Sequence, residues 1–271
     1  MGVIIAICNQ KGGTGKTTTA INVSTALALA GKKVLLVDID PQANATSGVG
    51  LDKSRIQKSA YHVLIEELAI TDALYETAVS GLFVVPAHVD LTGAEVELVS
   101  ALGREYRLKK SLGKEKGHFD YVFIDSPPSL GLLTVNGLCA ADSVLIPVQC
   151  EYYALEGLSQ LTNTIRLVKD NLNPGLEMEG ILLTMADFRT NLTKEVIQEA
   201  RHHFHDKVFE TVIPRSIRLT EAPSFGQPIA LYDKDSIGAK KYAELGEELL
   251  RHHYVSAEPK AEGDIEWSEK L

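Results

Sequence analysis

The most constraining feature of the chain is Asn9-Gln10-Lys11-Gly12-Gly13-Thr14-Gly15-Lys16-Thr17-Thr18, set between the apolar run 3–8 and a helix-period segment from Lys16 to Ala30. Glycines at 12, 13 and 15 open backbone conformations that side chains exclude, so successive N–H groups can converge on one anion. A helix starting at Lys16 adds its positive dipole end and the unpaired N–H groups of its first turn. Such a cradle belongs at the carboxyl end of a parallel strand, where open α/β sheets bind ligands.

The rest of the chain supplies that sheet. Short apolar runs at 3–8, 33–38, 82–86, 121–125, 143–148, 179–185 and 208–213 read as strands. Several are continuously apolar, such as Val34-Leu35-Leu36-Val37 and Tyr121-Val122-Phe123-Ile124, as expected of strands covered on both faces. Between them, Lys16 to Ala30, Gly93 to Leu112, Leu155 to Leu172, Leu192 to Phe204 and Gly238 to His253 carry helical periodicity. The expected fold class is α/β: a single P-loop NTPase domain over residues 1–255, its mostly parallel central sheet flanked by helices on both faces. With 45% hydrophobic residues in 271, the chain can bury a large core without disulfides. Residues 256–271 are acidic and polar, carry Pro259 and Gly263, and are expected to form a disordered tail.

Strand, loop and helix together make the loop a Walker A motif, so the expected ligands are ATP and Mg²⁺. The backbone from Lys11 to Thr18 is expected to hold the phosphates. Lys16 then reaches the β- and γ-phosphates, the Thr17 hydroxyl takes a metal position and Thr18 meets the α-phosphate. A glycine-rich turn with a solvated lysine would not need this context. Asp38-Ile39-Asp40 places two carboxylates on one side of an extended chain at a strand end. Asp40 can orient an attacking water and Asp38 can support the Mg²⁺ hydration shell, although strand-terminal aspartates also serve simply as turn caps. Tyr121-Val122-Phe123-Ile124-Asp125 has the form of Walker B, with Asp125 holding Mg²⁺ through water.

Lys11 is not required by an ordinary Walker A loop. Lys11-Gly12-Gly13-Thr14-Gly15-Lys16-Thr17 resembles the deviant Walker A motif of the ParA/MinD family. Gln42-Ala43-Asn44-Ala45-Thr46-Ser47-Gly48 and Ile146-Pro147-Val148-Gln149-Cys150-Glu151-Tyr152-Tyr153-Ala154-Leu155-Glu156-Gly157 extend the resemblance to the chromosomal ParA, or Soj, subgroup. The resemblance implies an ATP-dependent homodimer in which Lys11 reaches the partner's nucleotide, with Lys11, Lys16 and Asp40 catalytic. It also implies a switch-like Ser126-to-Gly131 turn and an adenine-side loop following 208–213, with Pro214 and Ser216 at the base. Arg189 and Arg218 match arginines that bind double-stranded DNA without sequence preference. A ParB-like centromere-binding protein is the implied partner, and chromosome or plasmid partitioning on the nucleoid the implied role. Residues 186–220 hold six Lys/Arg against five Asp/Glu, no basic stripe, so the residues alone leave Arg189 equally readable as a solvated or salt-bridged surface charge.

A net charge of −9 confines any DNA contact to a local surface. The N-terminus has no signal-peptide character and no apolar run is long enough to span a membrane, so a cytoplasmic protein without a membrane partner is expected. The alternative is a MinD-like membrane-associated ATPase. It would need a basic amphipathic C-terminal helix, whereas Glu258, Glu262, Asp264, Glu266 and Glu269 outnumber Lys260 and Lys270. An iron–sulfur relative would need exposed cysteine pairs, but Cys8, Cys139 and Cys150 lie in apolar segments and are expected to be buried.

Overall fold

The computed structural model describes residues 2–115, 117–151 and 154–257. Seven strands form one sheet in the order β3-β4-β2-β5-β1-β6-β7. They are β1 (Val3–Ile7), β2 (Val34–Asp38), β3 (Tyr75–Glu76), β4 (Leu82–Val85), β5 (Tyr121–Asp125), β6 (Ser143–Gln149) and β7 (Glu177–Thr184). All neighbouring pairs are parallel except β3 with β4. Side chains alternate across the sheet with the period of two that strands impose. Ile4 and Ala6 of β1 and Leu35 and Val37 of β2 join one buried cluster, while Ile5, Ile7, Val34 and Leu36 join the other. Two cores are thus buried on one sheet, which is why its strands read as continuously apolar.

Helices α1 (Lys16–Leu29), α2 (Asn44–Gly48), α3 (Ala60–Ile65), α4 (Leu91–Leu98), α5 (Arg107–Gly113), α6 (Leu132–Ala140), α7 (Ala154–Asn171), α8 (Asn191–Phe204), α9 (Ile217–Glu221), α10 (Ile229–Tyr232) and α11 (Ile237–Ala257) follow in chain order. Helices α3 to α8 cover one face, and α1 with α9 to α11 covers the other. Helix α1 lies between the sheet and α11, with Thr19 Oγ1 3.2 Å from the Tyr242 hydroxyl. Gly246 of α11 suits this close approach, because a Cβ there would lie 3.2 Å from the Ala26 methyl and force one of them to shift by a few tenths of an ångström.

Two expectations are corrected. The helix over 93–112 is broken: α4 ends at Leu98 and α5 begins at Arg107, with Gly103 between them at φ 62. A left-handed glycine stops a helix whatever the periodicity around it. The run 208–213 is no regular strand: it meets β7 at one isolated bridge, Ile181 with Val208, and through Phe209 N and Ile213 N, which donate to the Ile181 and Leu183 carbonyls at 3.0 and 2.9 Å, while Pro214 bridges Ala186 beyond the end of the strand. The N–H groups of Glu210 and Thr211 are taken instead by the buried Glu248 carboxylate of α11, at 2.6 and 3.0 Å, which bulges the segment off the ladder. Helix α11 also continues to Ala257, past the expected boundary at 255, and the rest of the acidic segment, 258–271, lies outside the described residues.

Candidate functional site

Strands β1, β2 and β5 are adjacent, and their carboxyl ends deliver the site. Pairing sets Ile7 beside Asp125 and Asp125 beside Asp38. The loop after Ile7 is held by side chains that bind its carbonyls. Gln149 Nε2 donates to the Gly13 carbonyl at 2.7 Å and Thr184 Oγ1 to that of Thr14 at 2.9 Å. Lys16 Nζ donates to the Lys11 carbonyl at 3.2 Å. These bonds occupy three of the loop's carbonyls, and Gly13 and Gly15 make the turn at φ 73 and 87. The sequence pattern did not reveal Gln149 and Thr184, which sit on β6 and β7 far away in the chain.

The two lysines of the loop point in different directions. Lys16 is 6% exposed, and burial lowers its ammonium pKa against the pull of Asp125 and Asp40. The Lys11 side chain is 50% exposed and its Nζ pairs at 2.9 Å with Glu151, just beyond β6.

The acidic side is charged beyond what Lys16 can balance. Asp38, Asp40 and Asp125 are all buried. The Asp125 carboxyl pKa is raised well above the usual range, first by burial and then by Asp38, while the facing Thr17 hydroxyl eases it slightly. Neither Asp125 oxygen has a partner in hydrogen-bonding geometry, nor does the buried Ser126 hydroxyl next to it. Buried orphan oxygens are costly unless something binds them. These residues fit an Mg²⁺ ion, which Thr17 and, through water, Asp125 would hold, since this hard cation keeps waters and takes few protein ligands. Among the described residues no group of three or more His, Cys, Asp or Glu side chains forms a closed metal cage.

Asp38 is arranged differently. Its Oδ1 accepts from Asp40 N at 3.1 Å, and its Oδ2 accepts from Thr46 N and Oγ1 at 2.8 and 2.7 Å. Burial pushes its pKa up to about 6 despite the Thr46 hydrogen bonds. Thr46 Oγ1 also receives Ala87 N at 2.9 Å, so Asp38 ties the start of α2 to the chain beyond β4. Asp40 Oδ1 accepts from Gln42 N at 3.0 Å, and the residue lines the cavity over the loop within the electrostatic reach of Lys16.

That cavity, about 310 Å³, is lined by the loop, Asp40, Gln42 and Pro128. A second of about 320 Å³, lined by Pro214, Ser216, Leu219, Pro223 and Tyr242, adjoins it through Gly15, Thr18 and Met185. The pair suits a ligand with a polyanionic end and a flat, largely apolar end. Pro214 and Ser216 thus fall in the expected half. Met185, at their junction, has φ 53, an uncommon conformation for a side chain of its kind and one concentrated at functional sites. No sequence signal marks it, because methionine has no preference for that region.

Arg189 and Arg218 stand outside these cavities. The turn bearing Arg189 and the segment leading to Arg218 are neighbours, Arg215 N donating to the Ala186 carbonyl at 3.0 Å. Arg189 forks onto Asp187 at 2.8 and 2.7 Å, holding that carboxyl down to about 2. Arg218 pairs with Glu221 at 3.1 Å and Asp233 at 3.4 Å. All three cysteines are buried, with thiols pushed up by burial to about 12 for Cys8 and about 11 for Cys139 and Cys150. No helix of the described residues is long and apolar enough to cross a membrane.

A family model described as an AAA domain matches residues 2–178. The chain is similar to the sporulation initiation inhibitor protein Soj of Bacillus subtilis (strain 168), 57% identical over 249 residues covering 92% of this chain and 98% of that one. It is equally similar to the chromosome partitioning protein ParA of Myxococcus xanthus (strain DK1622), 57% identical over 251 residues, 93% and 89% of the two chains. Among solved structures, cobyrinic acid a,c-diamide synthase of Mycobacterium smegmatis with bound ADP and magnesium matches with TM-score 0.83 at 39% identity, covering 94% of this chain and 97% of that one.

Proposed function

The chain belongs to the ParA/MinD family of deviant Walker A ATPases, in its Soj/ParA group, and from that premise we propose that it is an ATP-driven dimer switch for chromosome or plasmid partitioning. It is a chromosome-partitioning ATPase that uses ATP and Mg²⁺. The expected ATPase domain, 1–255, extends with α11 to Ala257, and 258–271 acts as a separate acidic segment. Lys11 to Thr18 hold the triphosphate, and Pro214 and Ser216 take the base side through their backbone. Bound Mg²⁺ offsets phosphate charge in the reaction. Thr17 and, through water, Asp125 hold it. Asp38, with its oxygens already engaged, adds negative charge beside Asp125 and anchors Thr46. Asp40, in the lining of the cavity, orients the attacking water.

What carries this reading is the contrast between the two lysines. Lys16 is committed to its own site, whereas Lys11 sits at the rim in a half-exposed ion pair, a contact worth at most about 1 kcal/mol in such surroundings. Release from Glu151 would let Lys11 reach a nucleotide held by a second subunit, as trans-acting arginines do in other P-loop enzymes. The ATP-bound dimer then doubles Arg189 and Arg218 on one surface and binds DNA through counterion release. Each arginine must first exchange its carboxylate for phosphate. A ParB-like centromere-binding protein resets the switch by stimulating hydrolysis, which places the protein on the nucleoid in the cytoplasm.

The test is ATP turnover measured alone, with DNA, with the cognate centromere-binding protein, with both, and with anionic vesicles. More-than-additive stimulation by DNA and protein together is expected. Stimulation by vesicles instead would move the chain to the MinD-like membrane class.

A further inference from the structure

A wide groove lies at the opposite end of the sheet from the nucleotide site. About 1000 Å³ opens between the starts of β1 and β5, the end of α1 and the last turns of α11. In a chain of net charge −9 its lining is basic: Lys32, Lys33 and Arg251 against the one acid Asp120, whose carboxylate receives Lys33 N at 2.7 Å. Its walls are also apolar, from Phe119, Leu250 and Tyr254, the last 73% exposed. The Lys33 ammonium lies over the Phe119 ring at 5.1 Å, so basic and aromatic surfaces meet at one spot. Lys32 and Arg251 form no ion pair among the described residues. None of this serves nucleotide or the arginine surface.

We propose that this groove is the docking site of the chain's own acidic segment, 258–271. Charge and composition are complementary. The segment carries five acids against Lys260 and Lys270, and Asp264-Ile265-Glu266-Trp267 alternates acidic with large apolar residues. A basic groove with aromatic walls offers a partner for each kind. The segment also starts in the right place, since α11 supplies Leu250, Arg251 and Tyr254 to the rim and ends at Ala257. An extended chain advances up to about 3.5 Å per residue, so the segment has ample length to return.

Trp267 is the only tryptophan in the chain and is therefore a built-in probe. Its emission and acrylamide quenching are measured in the full-length protein and in a synthetic peptide of residues 258–271. The full-length protein is expected to show blue-shifted emission and weaker quenching than the peptide. At about 1 M salt, where the Debye length falls to about 3 Å, both are lost. They are also lost in Lys33→Glu and in Lys32→Glu with Arg251→Glu, and kept in Lys33→Arg. Nucleotide binding at the far end of the sheet reports that each variant is folded. Emission and quenching equal to the peptide's would overturn the proposal. So would a blue shift that survives both charge reversals, or one that grows with protein concentration and so assigns the groove to a second copy.

Discussion

The carboxyl ends of β1, β2 and β5 and the surface bearing Arg189 and Arg218 treat charge in opposite ways. At the strand ends, three buried carboxylates crowd near one buried lysine, and among the described residues the Asp125 oxygens have no partner in hydrogen-bonding geometry. On the arginine surface both cations are exposed and already paired, Arg189 bidentately. A buried charge without a partner is costly in the free protein, so its persistence points to a ligand. An exposed, satisfied pair costs almost nothing and is compatible with any role. The nucleotide site can therefore be argued from the fold itself, whereas DNA binding leans on family membership.

Substitutions can break or sharpen this contrast. The largest effect is expected from Lys16→Ala, which removes the cation closest to the buried acids and the γ-phosphate position. ATP turnover should fall by roughly 10²–10³-fold, the usual cost of one preorganised charge donor, as read by phosphate release. Turnover near wild type would mean that another group carries that charge.

Asp125→Asn should separate function from stability. Mg²⁺-dependent turnover is lost, while the nucleotide-free protein becomes more stable at neutral pH, its midpoint rising by about 2–4 °C for each kcal/mol gained. The sign follows from linkage. Burial raises the Asp125 and Asp38 pKa values above their unfolded values, so the native state binds more protons than the unfolded one. Stability from this pair is then full below about pH 4, falls as pH rises, and for Asp38 is lost through about pH 6. Removing the Asp125 charge should flatten that decline in nucleotide-free thermal scans. A steeper decline would refute the assignment of an uncompensated acid.

Arg189→Glu is expected to abolish retention of duplex DNA by the ATP-bound protein without changing its midpoint by more than about 1–2 °C, because the pair it breaks is exposed. Arg189→Ala should weaken retention and reduce the salt dependence of binding. Equal retention by wild type and Arg189→Glu at low salt would remove this residue from the DNA surface. The smallest effect belongs to Ser216→Ala. Only its backbone is assigned to the base, so nucleotide affinity should stay within about twofold, well below the tenfold that 1.4 kcal/mol would produce.

Much of the arrangement was legible because local chemistry determines it. Glycines at 12, 13 and 15 have few uses next to Lys16 and a strand, and Tyr121 to Asp125 reads as a buried strand whichever helices cover it. What was not legible is tertiary. Periodicity over 93–112 carried across Gly103, where the left-handed φ separates two helices. The apolar run 208–213 looked like a strand, but Glu248, on the last helix, takes the N–H groups of Glu210 and Thr211 and leaves only Phe209 and Ile213 donating to β7. Asp38 and Asp40, two residues apart, were expected to orient water and support Mg²⁺ in different ways, but that Thr46 claims Asp38 while Asp40 lines the cavity is seen only in the fold. The unassigned contributors, Gln149, Thr184 and Met185, meet the loop only once the sheet has formed.

The central claim is that Lys11 acts on the nucleotide of a second subunit, and mixing two inactive proteins tests it most directly. Lys11→Ala should bind nucleotide but neither hydrolyse it nor form stable dimers, and Asp40→Ala should bind it without hydrolysis. In a mixed dimer, the Lys11→Ala subunit keeps its own Asp40 and receives Lys11 from its partner, so one complete site is restored. ATP turnover should therefore appear on mixing and depend on both concentrations. A mixture no more active than the sum of its parts, or Lys11→Ala hydrolysing normally by itself, would contradict the account and return this protein to the ordinary P-loop class.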